Sequence, residues 1–329
     1  MQPQIDLIVP WVNGGDPDWQ REKARFSGAG GDQRIIRYRD WGLMKYWFRG
    51  VEKFLPWVRK IHFVTWGHLP EKLYTENPKL HIIRHSEYIP AKYLPTFSAN
   101  VIEMNFFRIE ELSECFIYAN DDMFFLRPLE ERFFFRNDLP VDAAIQNVLQ
   151  FTRSDGIDGM VKNDLLSLNL HFKKHEAIAA NKRKWFSPVY GAGMLKNLYL
   201  HPFGNFTGFI DTHLPYAYLK STFREVYDTC TEKLEETFSH KIRTQEDVNQ
   251  WLCRYWQFAS GKFSPGKPNR GRFLVIGKDD AEIERIVSTG AVPMICLSDD
   301  EETIDFEKEK QFLTDCFERL LPEKSSFEI

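Results

Sequence analysis

The fold class that this sequence predicts is α/β: a mostly parallel, Rossmann-like sheet carrying a helical insertion and a helical C-terminal part. Two patterns predict it. Short apolar runs at Ile5 to Val9, Ile61 to Val64 and Leu80 to Ile83 alternate with helical spacing, as in Leu43, Trp47, Val51 and Phe54. Strands separated by helices pair in parallel, with the helices covering the sheet. The apolar run Cys115 to Tyr118 then stops abruptly at Asn120, Asp121 and Asp122, at the carboxyl rim where ligands sit in such sheets.

Taken in chain order, the loops Trp11 to Asp16, Thr65 to His68 and Asn120 to Asp122 all follow strands and belong on that one rim. A helix is expected from about Ser98, a capping residue, to Leu112, with Ile102, Phe106 and Ile109 along one face. The polar stretch from Arg153, with the basic run Lys182, Arg183 and Lys184, lacks strand alternation, so residues 153–190 read as a helical insertion. A helical region is expected from about Leu214, and another from Gln245 to Phe258. The second has Thr244 and Asp247 in capping-box spacing and Val248, Trp251, Leu252 and Tyr255 on one face. Ser260 to Arg272 is rich in Gly, Pro and Lys and reads as a surface loop. Val292 to Leu297 reads as a late strand ending at Ser298, Asp299 and Asp300. Residues 1–329 are taken as a single domain.

Composition narrows the functional classes. With 43% hydrophobic, 27% charged and 15% aromatic residues the chain is globular with an aromatic excess. A net charge of −4 offers no overall positive field for a nucleic-acid backbone, so a polynucleotide partner is disfavoured. There is no apolar run of roughly 18 residues and no basic segment followed by an apolar stretch at the N-terminus. The expected location is the cytoplasm, with room for peripheral contact at the inner face of a membrane. Five widely spaced cysteines without a CxxC pair suit a reducing compartment.

Adjacent carboxylates at a strand end are what a transferase uses to hold Mg²⁺ or Mn²⁺ against a diphosphate, because hard cations take oxygen ligands. Asp121 and Asp122 fit that use, and a simple turn explains them equally well. Asp299 and Asp300 repeat the pattern, but Glu301 and Glu302 continue it into what is ordinarily solvated acidic surface. Near Gly14 backbone can approach a ligand, and Trp11 can stack on a base; a tight turn explains the glycine as well. His213, before Leu214 and Pro215, and Arg243, before the capped helix, can face one cleft. Glu103, between Ile102 and Met104, is a general-base candidate whose plain alternative is a solvated helical glutamate.

The segments IDLIVPWVNGGDP, RDWGLMKYWFRGVEKFLPWVRKIHFVTWGHLP, LPTFSANVIEMNFFRIEELSECFIYANDDMF, THLPYAYLK and RTQEDV together resemble the Stealth family, in ordered blocks that end with CLSDD at Cys296 to Asp300. That family holds bacterial capsular and cell-wall polysaccharide phosphotransferases and the animal enzyme that begins mannose-6-phosphate tagging. The resemblance implies a glycosyltransferase-A-like sheet and transfer of a hexose-1-phosphate, commonly N-acetylhexosamine-1-phosphate, from a UDP-sugar to the hydroxyl of an oligosaccharide or lipid-linked glycan, releasing UMP. It implies Glu103, Asp122, His213 and Arg243 as catalytic residues. Trp11, Asn13, Gly14, Arg49 and Asn120 are expected at the substrate, and Asp121 and Asp122 at the metal, with Asp299 and Asp300 as further candidates. Trp66, Leu43, Lys45 and Ser298 depart from the family's common pattern and leave the donor sugar open. Two other classes compete: a metal-dependent glycosyltransferase that breaks the anomeric bond and releases UDP, and a non-catalytic carbohydrate-binding module.

Overall fold

A computed structural model describes residues 4–26, 38–151, 157–299 and 305–329. Its first half contains β1 (Ile5–Trp11), α1 (Pro17–Ala24), α2 (Met44–Phe54), β2 (Ile61–Thr65), β3 (Leu80–Arg84), α3 (His85–Tyr88), α4 (Ala99–Met104), β4 (Cys115–Tyr118), β5 (Met123–Phe125), β6 (Phe135–Arg136) and β7 (Leu139–Asp142). The helices α5 (Asp158–His171), α6 (Lys174–Ala180), α7 (Lys182–Trp185) and α8 (Gly193–Leu200) follow. Then come β8 (Tyr216–Leu219), α9 (Lys220–Thr229), α10 (Thr231–Ser239), α11 (Trp251–Ala259), β9 (Ser264–Pro265), β10 (Gly271–Val275), α12 (Asp280–Thr289), β11 (Met294–Ser298) and α13 (Phe306–Leu320).

The main sheet has the order β3-β2-β1-β4-β8. Its first three pairings are parallel, Leu7 standing beside Ile61 on one side and Ile117 on the other, and β8 closes the edge antiparallel to β4. Period-two alternation divides the core between the two faces of this sheet. Leu7, Val9, Cys115 and Ile117 pack with α2, α12 and α13, whereas Ile8, Phe116 and Tyr118 pack with α9, α10 and α11. Central strands carry apolar residues on both faces for that reason, which makes them legible as continuous apolar runs. A second sheet, β10-β11-β5, leaves the end of β4 and ties residues 123–125 to 294–298.

Four expected elements differ. The helix foreseen from Ser98 to Leu112 is only α4, because Asn105 turns its amide back to the Val101 carbonyl at 2.8 Å and accepts from Arg108. Ser98 makes no capping bond there. Thr244 and Asp247 do bond to one another, at 3.0 and 2.9 Å, yet they close a turn, and the helix starts only at Trp251. The Asp247 carboxylate is shared with Asn100 and His240, which holds the loop down. The region from Leu214 enters a strand, β8, before α9, and the expected loop Ser260 to Arg272 gives up its end to β10. Of the insertion foreseen at 153–190, the part from residue 157 onward is helical and packs through α5 on α11; Arg153 lies outside the described residues. No helix among the described residues is long and apolar enough to cross a membrane.

Candidate active site

Beyond the carboxyl ends of β1, β3 and β4 lies a cavity of about 390 Å³. Glu103, Asn120, Asp121, Asp122, His213 and Arg243 all line it, brought from α4, the end of β4, the approach to β8 and the loop before α11. Each is delivered by a rigid element. Asp122 is fixed through its main chain, whose carbonyl accepts from Leu297 of β11 at 2.9 Å. His213 sits with φ at +43°, a left-handed conformation that costs energy for a non-glycine residue and is held here by the structure around it.

Burial sets the charge states. Glu103 is enclosed, and burial pushes its carboxyl up to about 7 against the opposing hydrogen bond from Tyr118 and the charge of Arg243. The Tyr118 hydroxyl lies 2.6 Å from Glu103 and also contacts the side chain of Asn120. One hydroxyl carries one proton. With Glu103 protonated the chain runs Glu103 to Tyr118 to Asn120, and with Glu103 ionised Tyr118 donates to the carboxylate while the Asn120 amide turns its N–H₂ toward the hydroxyl. The relay thus accommodates either state of Glu103.

Asp121 is raised to about 8 by burial first, then by the negative charges of Asp122 and Asp40, another cavity residue. Burial also raises Asp122, opposed by His213 and Cys296. One Asp122 oxygen accepts from the Cys296 thiol at 3.5 Å, and the other is buried without a partner. Ligand atoms of Asp122, His213 and Cys296 all lie within 4.8 Å of one another. That mixed oxygen, nitrogen and sulfur set suits a softer ion than Mg²⁺. Asp121, raised by burial and by the charges of Asp122 and Asp40, and the unpartnered Asp122 oxygen offer a divalent cation oxygen donors on the same side of the cavity.

Other expected positions fall differently. Trp11 lines the cavity but is packed against Phe63 and His68, and what it brings is a buried indole N–H without a partner rather than an open stacking face. Asn13 and Gly14 build the wall behind it. The Asn13 amide donates to His68 at 2.8 Å, joining two of the rim loops, and a Cβ on Gly14 would fall 2.1 Å from the Tyr38 carbonyl. Asp299 is gripped by Arg39 through two hydrogen bonds of 2.8 and 2.7 Å at the cavity edge, a correction to its expected place as a metal ligand. Asp300 lies outside the described residues. Sequence reasoning missed Arg39, Asp40 and His85. Burial, reinforced by the charge of His68, takes His85 down to about 4, and its Nδ1 is unpartnered. Cys296 stood in the quoted block CLSDD, without a role.

Arg49 is the plain misreading. It is buried on α2 with its guanidinium forked onto Glu328 at 2.8 Å, and it also reaches Glu318 and the Leu321 carbonyl. It clamps the C-terminal segment to α2 and does not line the cavity. Removing one partner of a buried ion pair costs about 3 kcal/mol or more. Arg49→Ala is therefore expected to lower the thermal midpoint clearly while leaving KM for the donor unchanged; a raised KM with unaltered stability would return Arg49 to the substrate.

Residues 3–31 match Stealth protein CR1, conserved region 1; residues 37–142 match Stealth protein CR2, conserved region 2; residues 212–256 match Stealth protein CR3, conserved region 3. A capsular polysaccharide phosphotransferase, WcwK, of Streptococcus pneumoniae is 40% identical over 329 residues, covering 99% of this chain and 98% of that protein. The chain belongs to the Stealth family. Other Stealth relatives include a receptor polysaccharide phosphotransferase, WefC, of Streptococcus oralis, 37% identical with 99% of both chains covered. An exopolysaccharide phosphotransferase, cps2G, of Lactiplantibacillus plantarum is 35% identical over 98% of this chain and 96% of its own. The Stealth regions contain Glu103, Asp122, His213 and Arg243, while Cys296 and Asp299 lie outside these three spans.

Proposed function

We propose that this Stealth protein is a polysaccharide phosphotransferase whose cavity carries a hexose-1-phosphate from a UDP-sugar to a glycan hydroxyl. Its relatives of matching length are named capsular, receptor and exopolysaccharide phosphotransferases. The observation that carries the reading is the convergence of Glu103, Asp122, His213 and Arg243, separated by up to 140 positions, on one cavity. In the step envisaged, the acceptor oxygen attacks the sugar-bearing phosphorus. The bond from that phosphorus to the bridging oxygen breaks, UMP departs, and the anomeric bond is untouched.

Phosphoryl transfer asks for positioning, charge neutralisation and a base. Arg243 supplies a planar fork for phosphate oxygens. Glu103, with a carboxyl near neutrality, accepts the hydroxyl proton, since a base is most effective when its pKa is close to the working pH. His213 and Asp122 flank the same space and orient the phosphate. Mg²⁺ or Mn²⁺ held by Asp121 and Asp122 would supply neutralisation of the diphosphate charge.

The deciding assay incubates the protein with Mg²⁺, a UDP-sugar and an acceptor glycan and identifies the nucleotide released. UMP is expected. Release of UDP would mean attack at the anomeric carbon, and the absence of any turnover with glycan binding retained would favour a carbohydrate-binding module.

A further inference from the structure

Among the described residues, large apolar side chains exposed to solvent are concentrated between positions 148 and 203. The helix α8 is built the wrong way round for a solvated surface. Its inward residues are Leu200 and a polar one, Asn197, which accepts from the Gln146 backbone N–H at 2.7 Å and donates to the carbonyls of Ala144 and Trp185 at 2.8 and 2.7 Å. Its outward face is Leu195, Leu198 and Tyr199, at the i, i+3, i+4 spacing of one helical stripe, with Tyr199 78% exposed. On α5, Leu166 and Leu170 also face out, although the opposite face already buries Met160, Val161, Leu165 and Leu168. Phe203 stands exposed in the turn that follows α8.

These segments are stitched into one body. Asn169 on α5 exchanges two 2.9 Å hydrogen bonds with the backbone of Phe206, and Lys174 donates to the carbonyl of Leu200 at the end of α8. Val148 and Phe151, also exposed, flank Leu149, whose amide donates to Thr207 at 2.9 Å. Charge supplies the rest of the argument. Residues 157–206 contain seven Lys and Arg against three Asp and Glu, in a chain whose net charge is −4. Lys162, Lys173, Lys182, Arg183 and Lys196, on the same run of helices, are exposed. An outward apolar stripe accompanied by lysines matches an anionic bilayer surface, with rings and leucines at the acyl boundary and ammonium groups at the lipid phosphates.

We propose that α5, α8 and the turn at Phe203 form a docking face for an anionic membrane. The same α5 reaches the loop that brings Arg243 to the cavity, Asn163 donating to the carbonyls of Gln245 and Asp247 at 2.9 and 3.0 Å. A helix of 14 residues spans about 21 Å. Docking therefore holds the phosphotransfer cavity one short helix from the lipid surface, within reach of a membrane-tethered acceptor. That purpose rests on the phosphotransferase reading, whereas the docking itself does not.

The test is co-sedimentation of the purified full chain, without donor or acceptor, with vesicles of phosphatidylcholine alone or mixed with phosphatidylglycerol, at low and high salt. Binding is expected only to the anionic vesicles and is expected to weaken with salt. Leu195→Ser, Leu198→Ser and Tyr199→Ser combined should abolish it. Lys162→Glu with Lys196→Glu should weaken it by at least roughly tenfold. Both variants should keep the wild-type thermal midpoint, since these side chains are exposed, and should release nucleotide with a soluble acceptor at the wild-type rate. Equal binding to neutral vesicles, no binding to either, or unimpaired binding by the serine variant would overturn the proposal. So would light scattering that shows a dimer which the serine variant converts to monomer, since the stripe would then belong to a second copy of the chain.

Discussion

Arg243→Ala is expected to lower kcat by about 10³-fold or more, the range associated with an arginine that neutralises transferring phosphate. The thermal midpoint should hardly move. The reason for the second lies in how the loop is held: Asp247 accepts from the Thr244 amide and hydroxyl, from Asn100 and from His240, contacts that anchor the backbone presenting Arg243. Arg243→Lys should recover only part of the loss, because an ammonium group offers a point charge where a phosphate takes a planar fork. Steady-state kcat and KM for the donor, with a melting curve for each variant, decide the matter. Wild-type turnover by either variant would remove Arg243 from the chemistry.

Activity should also follow Glu103. Burial raises this carboxyl from its usual range to about 7, so as a base it is mostly protonated at pH 6 and mostly ionised at pH 8. The rate is expected to rise with pH through about 7. Glu103→Gln should cost 10²- to 10⁴-fold, roughly what a general base contributes, and should erase that limb of the profile. Stability should move the opposite way. Between the ordinary glutamate pKa and about 7 the folded protein binds a proton that the unfolded chain does not, so this contribution is lost as pH rises through the folded value. Glu103→Gln, which cannot ionise, is then expected to melt no lower than wild type at pH 8. If the variant keeps the rising limb, another group is the base and Glu103 serves only to position Tyr118.

The central strands were legible because their function in the fold is burial on both faces, which leaves apolar runs such as Leu7 to Val9. That same property hid β8. Tyr216, Ala217, Tyr218 and Leu219 are all buried, so no alternation marks them, and the preceding Pro215 looks like a helix start. At the edge of its sheet β10 exposes Arg272 and Phe273, and nothing in its composition separates it from the loop before it. At the site, the four residues expected to be catalytic, Glu103, Asp122, His213 and Arg243, line one cavity. Arg39, Asp40 and His85 were not, because a lone arginine, aspartate or histidine acquires meaning only from what the fold sets beside it. Arg49 failed for the converse reason: its partners Glu318 and Glu328 lie some 270 positions away, and a charge on an apolar helix looks available until they are seen.

The short antiparallel ladder between β5 and β11 has a consequence for how the protein is made. The residues Glu103, Asp122, His213 and Arg243 have all been added to the chain once residue 243 is in place, yet the main chain at Asp122 is fixed by Leu297. Domains of low contact order can assemble as they emerge, whereas this cavity must wait for a strand made some 170 residues after the carboxylate it steadies. A nascent chain carrying all four residues therefore still lacks the strand that steadies Asp122, so assembly of the cavity waits on residues 294–298.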